Sequence, residues 1–368
     1  MLAPLGPLAG LGMGDLATTR SVLRKVGLSK IVIKPDGLDG WKFTGPANLI
    51  GLAVHKRTQA APPRHPHRLR EPHAPRIGPR IGCAGEAAAL DFRIDQEDRP
   101  MPTAQLPGDL LMHYDDDDFT DPWAPAETVI LHHGNAKSAK LWYGWVPLLA
   151  RDYRVIRVDA RGFGRSSVPP PGYPWSLEGF ATDLVHLMEH LGIDKAHLIG
   201  ETIGGTIALD FAHRFPDRLH TVTTCTSPYK FRGVQTYLDY YNIVKEHGVE
   251  TWVRQTANRR LEPGASDPQH QEWYTQQMSQ TAKHVVLETL AYLATVDLTP
   301  ILPKITTPAL VLVGERSAMN TPDRAQSLAA LLPRGTLVEV PGASGYVQHS
   351  APAQCVAIWR EFVRSSRA

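Results

Sequence analysis

The chain has 368 residues, 42% hydrophobic and 21% charged, which excludes a disordered or collagen-like protein and leaves ample sequence for a large core. Lys plus Arg number 39 against 37 for Asp plus Glu, a formal charge of +2, so the whole-chain balance gives no reason to expect a nucleic-acid or membrane partner. Cys83, Cys225 and Cys355 stand far apart, in neither a C-x-x-C nor a Cys/His cluster, so no disulfide framework and no metal are expected. A reducing cytoplasm fits best. The N-terminus lacks a basic start and no apolar run approaches the ~18 residues of a membrane span, so secretion and insertion are not expected.

In chain order, residues 1–100 carry 15 Lys/Arg against 9 Asp/Glu, a balance of +6, which leaves 24 against 28 for the remainder. Within them KRTQAAPPRHPHRLREPHAPRIGPR (56–80) has one acidic residue, Glu71, and no period of 2 or 3.6, which predicts disorder. It lacks the interleaved aromatics that stack on bases. LSKIVIKPDGLDGWKFTG (28–45) predicts a strand or hairpin. Residues 1–100 are therefore read as a largely disordered extension, with Met101 as an alternative start, and 101–368 as the folded domain.

From about residue 108, short β-branched runs alternate with amphipathic stretches, the pattern of βαβ units around a parallel sheet. Strands are predicted at 127–133, 153–160, 196–201, 219–225, 308–314 and 336–340. Helices are predicted at 176–192, where Leu184, Leu187, Met188 and Leu191 share a face, at 203–215, at 321–333 and at about 351–365. Between the fourth and fifth of these strands lies a helical insertion, roughly 229–297, that looks like a lid. Its aromatic residues are mainly the core of such a cap. Tyr237, Tyr241, Trp252 and Trp273, with Trp142, are the candidates for contact with a substrate.

Three segments carry the chemistry. Gly200-Glu201-Thr202-Ile203-Gly204-Gly205 joins a strand to a helix in the G-x-S-x-G pattern of a nucleophile elbow, with threonine at its centre. Upstream, one strand ends in His132-His133-Gly134-Asn135 and another in Asp159-Ala160-Arg161-Gly162-Phe163-Gly164-Arg165-Ser166. In this order they resemble the α/β-hydrolase superfamily, in particular its branch of enol-lactonases and small esterases, over about residues 108–366.

That resemblance implies a mostly parallel central sheet flanked by helices, an inserted helical lid, and acyl chemistry by a nucleophile, an acid and a histidine in that chain order. It makes the backbone amides of Asn135 and Ile203 the two oxyanion donors. No cofactor is implied. All three triad positions depart from the pattern: Thr202 replaces serine, Ser317 in Gly314-Glu315-Arg316-Ser317 the acid, and Gly345 in Pro341-Gly342-Ala343-Ser344-Gly345 the histidine. A β-branched residue is strained at the positive φ of an elbow, and a hydroxyl without a base is a poor nucleophile near neutrality. His349 is the candidate substitute base, with Glu315 or Asp323 as its acid. His133 is expected to order its loop, and the Glu201 side chain to point away from the pocket.

Two readings of function follow. The first is an enzyme of the carboxylic ester or lactone hydrolase type, or a related lyase, acting on a small, largely apolar carbonyl compound through an oxyanion hole and a degenerate triad. The second is an inactive pseudo-hydrolase that binds or senses such a molecule.

Overall fold

The computed structural model describes residues 32–35, 41–44, 102–262 and 267–367. The chain divides into two units, 1–100 and 101–368. In the first, β1 (Val32–Pro35) and β2 (Trp41–Thr44) pair antiparallel with Val32 opposite Thr44. The 56–80 stretch and Met101 lie outside the described residues.

The second unit holds an eight-stranded, mostly parallel sheet. Its strands are β3 (Thr103–Leu106), β4 (Leu110–Asp117), β5 (Thr128–His132), β6 (Arg154–Val158), β7 (Ala196–Glu201), β8 (Leu219–Cys225), β9 (Ala309–Gly314) and β10 (Gly335–Val340). They lie in the order β10-β9-β8-β7-β5-β6-β4-β3, and only β3 and β4 run antiparallel to their neighbours. Every residue of β5, β7 and β9 is buried, as strands covered on both faces require; β9 is apolar throughout, while β5 and β7 end in the buried polar residues His132 and Glu201.

Strand alternation sorts these runs into two cores. Ile130, Ile156 and Leu198 face one side with Leu184 of α2 (Leu177–His190) and Phe211 of α3 (Ile203–Arg214), after a short α1 (Val146–Leu149). Val129, Leu131, Val155 and Ile199 face the other, with Trp142, Trp145 and Trp359. The Ser176 hydroxyl caps α2 by accepting from the Gly179 amide at 3.0 Å.

Between β8 and β9 the chain inserts α4 (Gln235–Thr256), α5 (Pro268–Ser279) and α6 (Lys283–Leu293). These helices bury a third core of Tyr240, Val244, Trp252, Tyr274, Met278 and Leu290. Gly248, at φ 87° and ψ 172°, kinks α4. α7 (Pro322–Leu331), the single turn α8 (Val347–Ser350) and α9 (Pro352–Ser366) complete the unit. Among the described residues no helix is long and apolar enough to cross a membrane.

The six predicted strands lie within two residues of these positions. The antiparallel edge was not expected, because Asp115, Asp116 and Asp117 make β4 look like a loop. Cross-strand ion pairs explain it: Arg157 meets Asp117 at 2.7 Å and Asp115 at 3.1 Å, and Arg154 meets Asp116 at 2.8 Å.

Candidate active site

β7 turns into α3 at Thr202, whose φ of 50° and ψ of −119° lie outside the regions a β-branched residue favours. The close approach at this turn requires glycine at 204, where a Cβ would fall 2.4 Å from the His133 carbonyl oxygen. The Thr202 hydroxyl packs against Gly134, where an added Cβ would lie 2.0 Å from it. His132 and His133 are buried next to this turn. The His133 Nε2 accepts from the Ala160 amide at 3.0 Å and so ties two loops together. Burial lowers the pKa of His132 to about 3 and of His133 to about 4, which keeps both neutral.

Thr202, Asn135 and Ile203 line a narrow cavity of about 50 Å³. Tyr237, Tyr240, Trp252 and Arg260, from the helical insertion and the turn after α4, form the opposing wall. Lys137 lines the same cavity with its side chain 2% exposed. Its Nζ donates to Glu201 Oε2 at 2.6 Å, lies 3.2 Å from His349 Nε2 and sits 4.6 Å from the centre of the Tyr346 ring. Glu201 is fully buried and also accepts from the Gly134 amide at 3.2 Å and from Gln348 Nε2, while His349 Nε2 lies 3.0 Å from Oε2.

Burial alone would push the Glu201 carboxyl up, but Lys137 and His349 outweigh it and hold the group well below the usual carboxylate range. Burial pulls the Lys137 ammonium down to about 8; Glu201 offsets part of this and Arg260 adds to it. Burial likewise lowers His349 despite Glu201. The result is a carboxylate, a lysine that titrates near 8 and a neutral imidazole in one buried cluster.

Asn135, Thr202, Ile203, Tyr237 and Trp252 are thus brought together around the cavity. Other expectations need correction. Trp142 is fully buried in the sheet core, its ring 5.2 Å from that of Trp145, because the turn at 139–142 packs on the side of β5 away from the cavity. Tyr241 and Trp273 pack partly buried against the core of the insertion and do not line the cavity. His349 Nε2 lies against Glu201 Oε2 and Lys137 Nζ, and no hydrogen bond joins it to Thr202 among the described residues. Glu201 is the hub of that cluster, and Glu315 accepts from the Gly342 amide instead of reaching it.

Ser317 is buried and its hydroxyl has no hydrogen-bond partner among the described residues. At Gly345 a Cβ would fall 2.8 Å from the Arg260 carbonyl oxygen and 3.1 Å from the Leu261 carbonyl carbon. Backbone thus fills the space a side chain needs. Gly345→His is expected to lower stability by about 1–3 kcal/mol without raising ester turnover, to be checked by thermal melting and an ester assay.

The sequence reading missed Lys137, Arg260 and Gln348. A signal existed for the first: a lysine two residues beyond Asn135, in a short turn after an apolar strand. Nothing local marks Arg260, which reaches the cavity from a turn of the insertion.

The chain is 26% identical over 216 residues to 3-oxoadipate enol-lactonase 2 of Acinetobacter baylyi, covering 58% of this chain and 80% of that protein. It is 29% identical over 238 residues to the putative carbamate hydrolase RutD of Stutzerimonas stutzeri, covering 61% and 86%. The enol-lactonase of Burkholderia xenovorans superposes with a TM-score of 0.66 at 23% identity, over 72% of this chain and all of that one, a likeness of fold. The family model of the α/β hydrolase fold matches residues 127–352, more than half of the chain, and the protein therefore belongs to that family.

Proposed function

We propose that the protein hydrolyses a small ester or lactone in the cavity at Thr202, beneath the helical insertion acting as a lid. The backbone amides of Asn135 and Ile203 serve as the oxyanion hole, and Lys137 moves the proton in place of the absent histidine. One observation carries this reading: a buried lysine with a pKa near 8, held at 2.6 Å by Glu201, that lines the same cavity as Asn135 and Ile203. Enol-lactonase and hydrolase relatives support the reaction class.

With a pKa near 8, roughly one Lys137 in ten is the free amine at pH 7. In that form Nζ takes a proton from a water molecule whose oxygen attacks the carbonyl carbon. The new oxyanion is held by the two amides. As the intermediate collapses, the C–O bond to the leaving group breaks and the Lys137 ammonium returns the proton to it. Glu201 holds Nζ in place, and neutral His349 and Gln348 hold Glu201. The Thr202 hydroxyl has no imidazole to activate it, so water is the nucleophile and the triad is degenerate.

A second reading, a binder without turnover, is favoured by the backbone that fills the space at Gly345. A panel of short activated esters and small lactones, assayed with the full chain, separates the two. Hydrolysis is expected, with Thr202→Ala lowering kcat by less than about tenfold; a residual ~10³–10⁴ over water is what an oxyanion hole and binding alone supply in a serine enzyme stripped of its triad. Turnover abolished by Thr202→Ala would refute attack by water. Binding without any turnover would establish the second reading.

A further inference from the structure

Arg260 is 3% exposed, and arginine is almost never buried so deeply without a counter-charge. Its Nη1 donates to the Val253 carbonyl oxygen at 3.2 Å and to the Thr256 hydroxyl, and its guanidinium lies 4.6 Å from the centre of the Trp252 ring. The Tyr346 hydroxyl is a further contact. All of these partners are uncharged. Among the described residues no carboxylate pairs with Arg260. Glu262, two residues on, accepts from Ser344 at 2.7 Å and from Arg316 at 3.3 Å. The other cation of the cavity, Lys137, already has Glu201.

The cavity therefore presents one positive charge in excess. It also holds idle donors: Asn135 Nδ2 and Trp252 Nε1 are buried without a hydrogen-bond partner among the described residues, and both residues line it. A guanidinium, an amide and an indole, none satisfied in full, are a recognition set for an anion rich in acceptors. The same turn explains why Arg260 can stand there. Its main chain occupies the space beside Gly345, and its carbonyl oxygen accepts from the Tyr346 amide at 2.9 Å.

We propose that the substrate is a small carbonyl compound that also bears a carboxylate, and that Arg260 is the residue that binds this carboxylate. The proposal deepens the hydrolase reading and rests on the same cavity, and it departs from the largely apolar substrate expected from sequence. A cavity of about 50 Å³ admits few non-hydrogen atoms without movement of its walls, which points to short acids of malonate size.

The test is binding, read apart from turnover. Malonate and its uncharged counterpart malonamide are titrated into the full chain by calorimetry, with thermal shift alongside. Malonate is expected to bind at least about tenfold more tightly than malonamide, a preference that falls to parity in Arg260→Met and survives in part in Arg260→Lys. Equal binding of the two by the wild type, or a malonate preference unchanged in folded Arg260→Met, would overturn the proposal. If Arg260→Met does not fold, the wild-type comparison and Arg260→Lys decide: a preference as large with lysine as with arginine counts against a forked contact. Turnover of monomethyl and dimethyl malonate separates this proposal from the hydrolase reading. Equal hydrolysis of both, with no malonate preference, sinks the carboxylate site alone; malonate binding with neither ester hydrolysed leaves the site standing and removes the hydrolase.

Discussion

Lys137→Met lowers kcat by about two to four orders of magnitude on any ester the protein hydrolyses, the usual contribution of a positioned acid–base group. Methionine keeps the length and the apolar stem, so the loss reports the amine. Because substitution also leaves Glu201 without its main counter-charge, circular dichroism and a melting curve must accompany the kinetics. The diagnostic measurement is the pH profile. Only the free amine accepts a proton, so wild-type kcat rises with pH through a midpoint near 8. The groups around Nζ are Glu201, His349 and Arg260, with the phenols of Tyr274 and Tyr346, whose burial pushes their pKa values up, well clear of this range. Glu201→Gln removes the one attraction that keeps the ammonium charged, and it shifts the midpoint to lower pH. A lysine that merely held the loop would leave the midpoint where it is.

Glu201→Leu destabilises the fold by about 3–5 kcal/mol, because it leaves the Lys137 ammonium buried without its carboxylate. The double variant Glu201→Leu/Lys137→Met recovers most of that loss, since a buried pair replaced by apolar side chains of similar volume is often neutral. Urea melts of the three proteins and the wild type give the coupling directly. The pH dependence has two windows. The Glu201 pKa is depressed by folding, so its contribution is complete above the ordinary carboxylate value of about 4.3 and is lost as pH falls toward the folded value. The Lys137 pKa is also depressed, from 10.5 to about 8, so in that interval the unfolded chain binds more protons and stability rises with pH. Glu201→Leu removes the acid window.

Much of the fold was legible because its central strands are buried on both faces and read as short, largely apolar, β-branched runs. β4 was not, since its aspartates are tolerated only through arginines forty residues away on β6. At the site, glycine spacing and the strand–turn–helix context located Thr202, Asn135 and Ile203. The cluster around Glu201 was hidden for a physical reason: its members come from residues 137, 201, 348 and 349, and a lysine or glutamine in a sequence carries no mark of being buried. Trp142 was misassigned because aromatic size alone does not say which side of a sheet a turn packs on.

Gly248 has a mechanical consequence. A Cβ there would meet nothing within 4 Å, so the position is glycine for its backbone angle and not for room. It splits α4 into two rods with a joint between them. Tyr237 and Tyr240 ride on the first, Trp252 on the second, and Arg260 just beyond it. Any molecule that touches Tyr237 or Tyr240 and also Trp252 or Arg260 is a cross-brace spanning that joint. Occupancy is therefore expected in the stiffness of the insertion, as slowed exchange of amide hydrogens on both rods, even where no atom of the sheet moves.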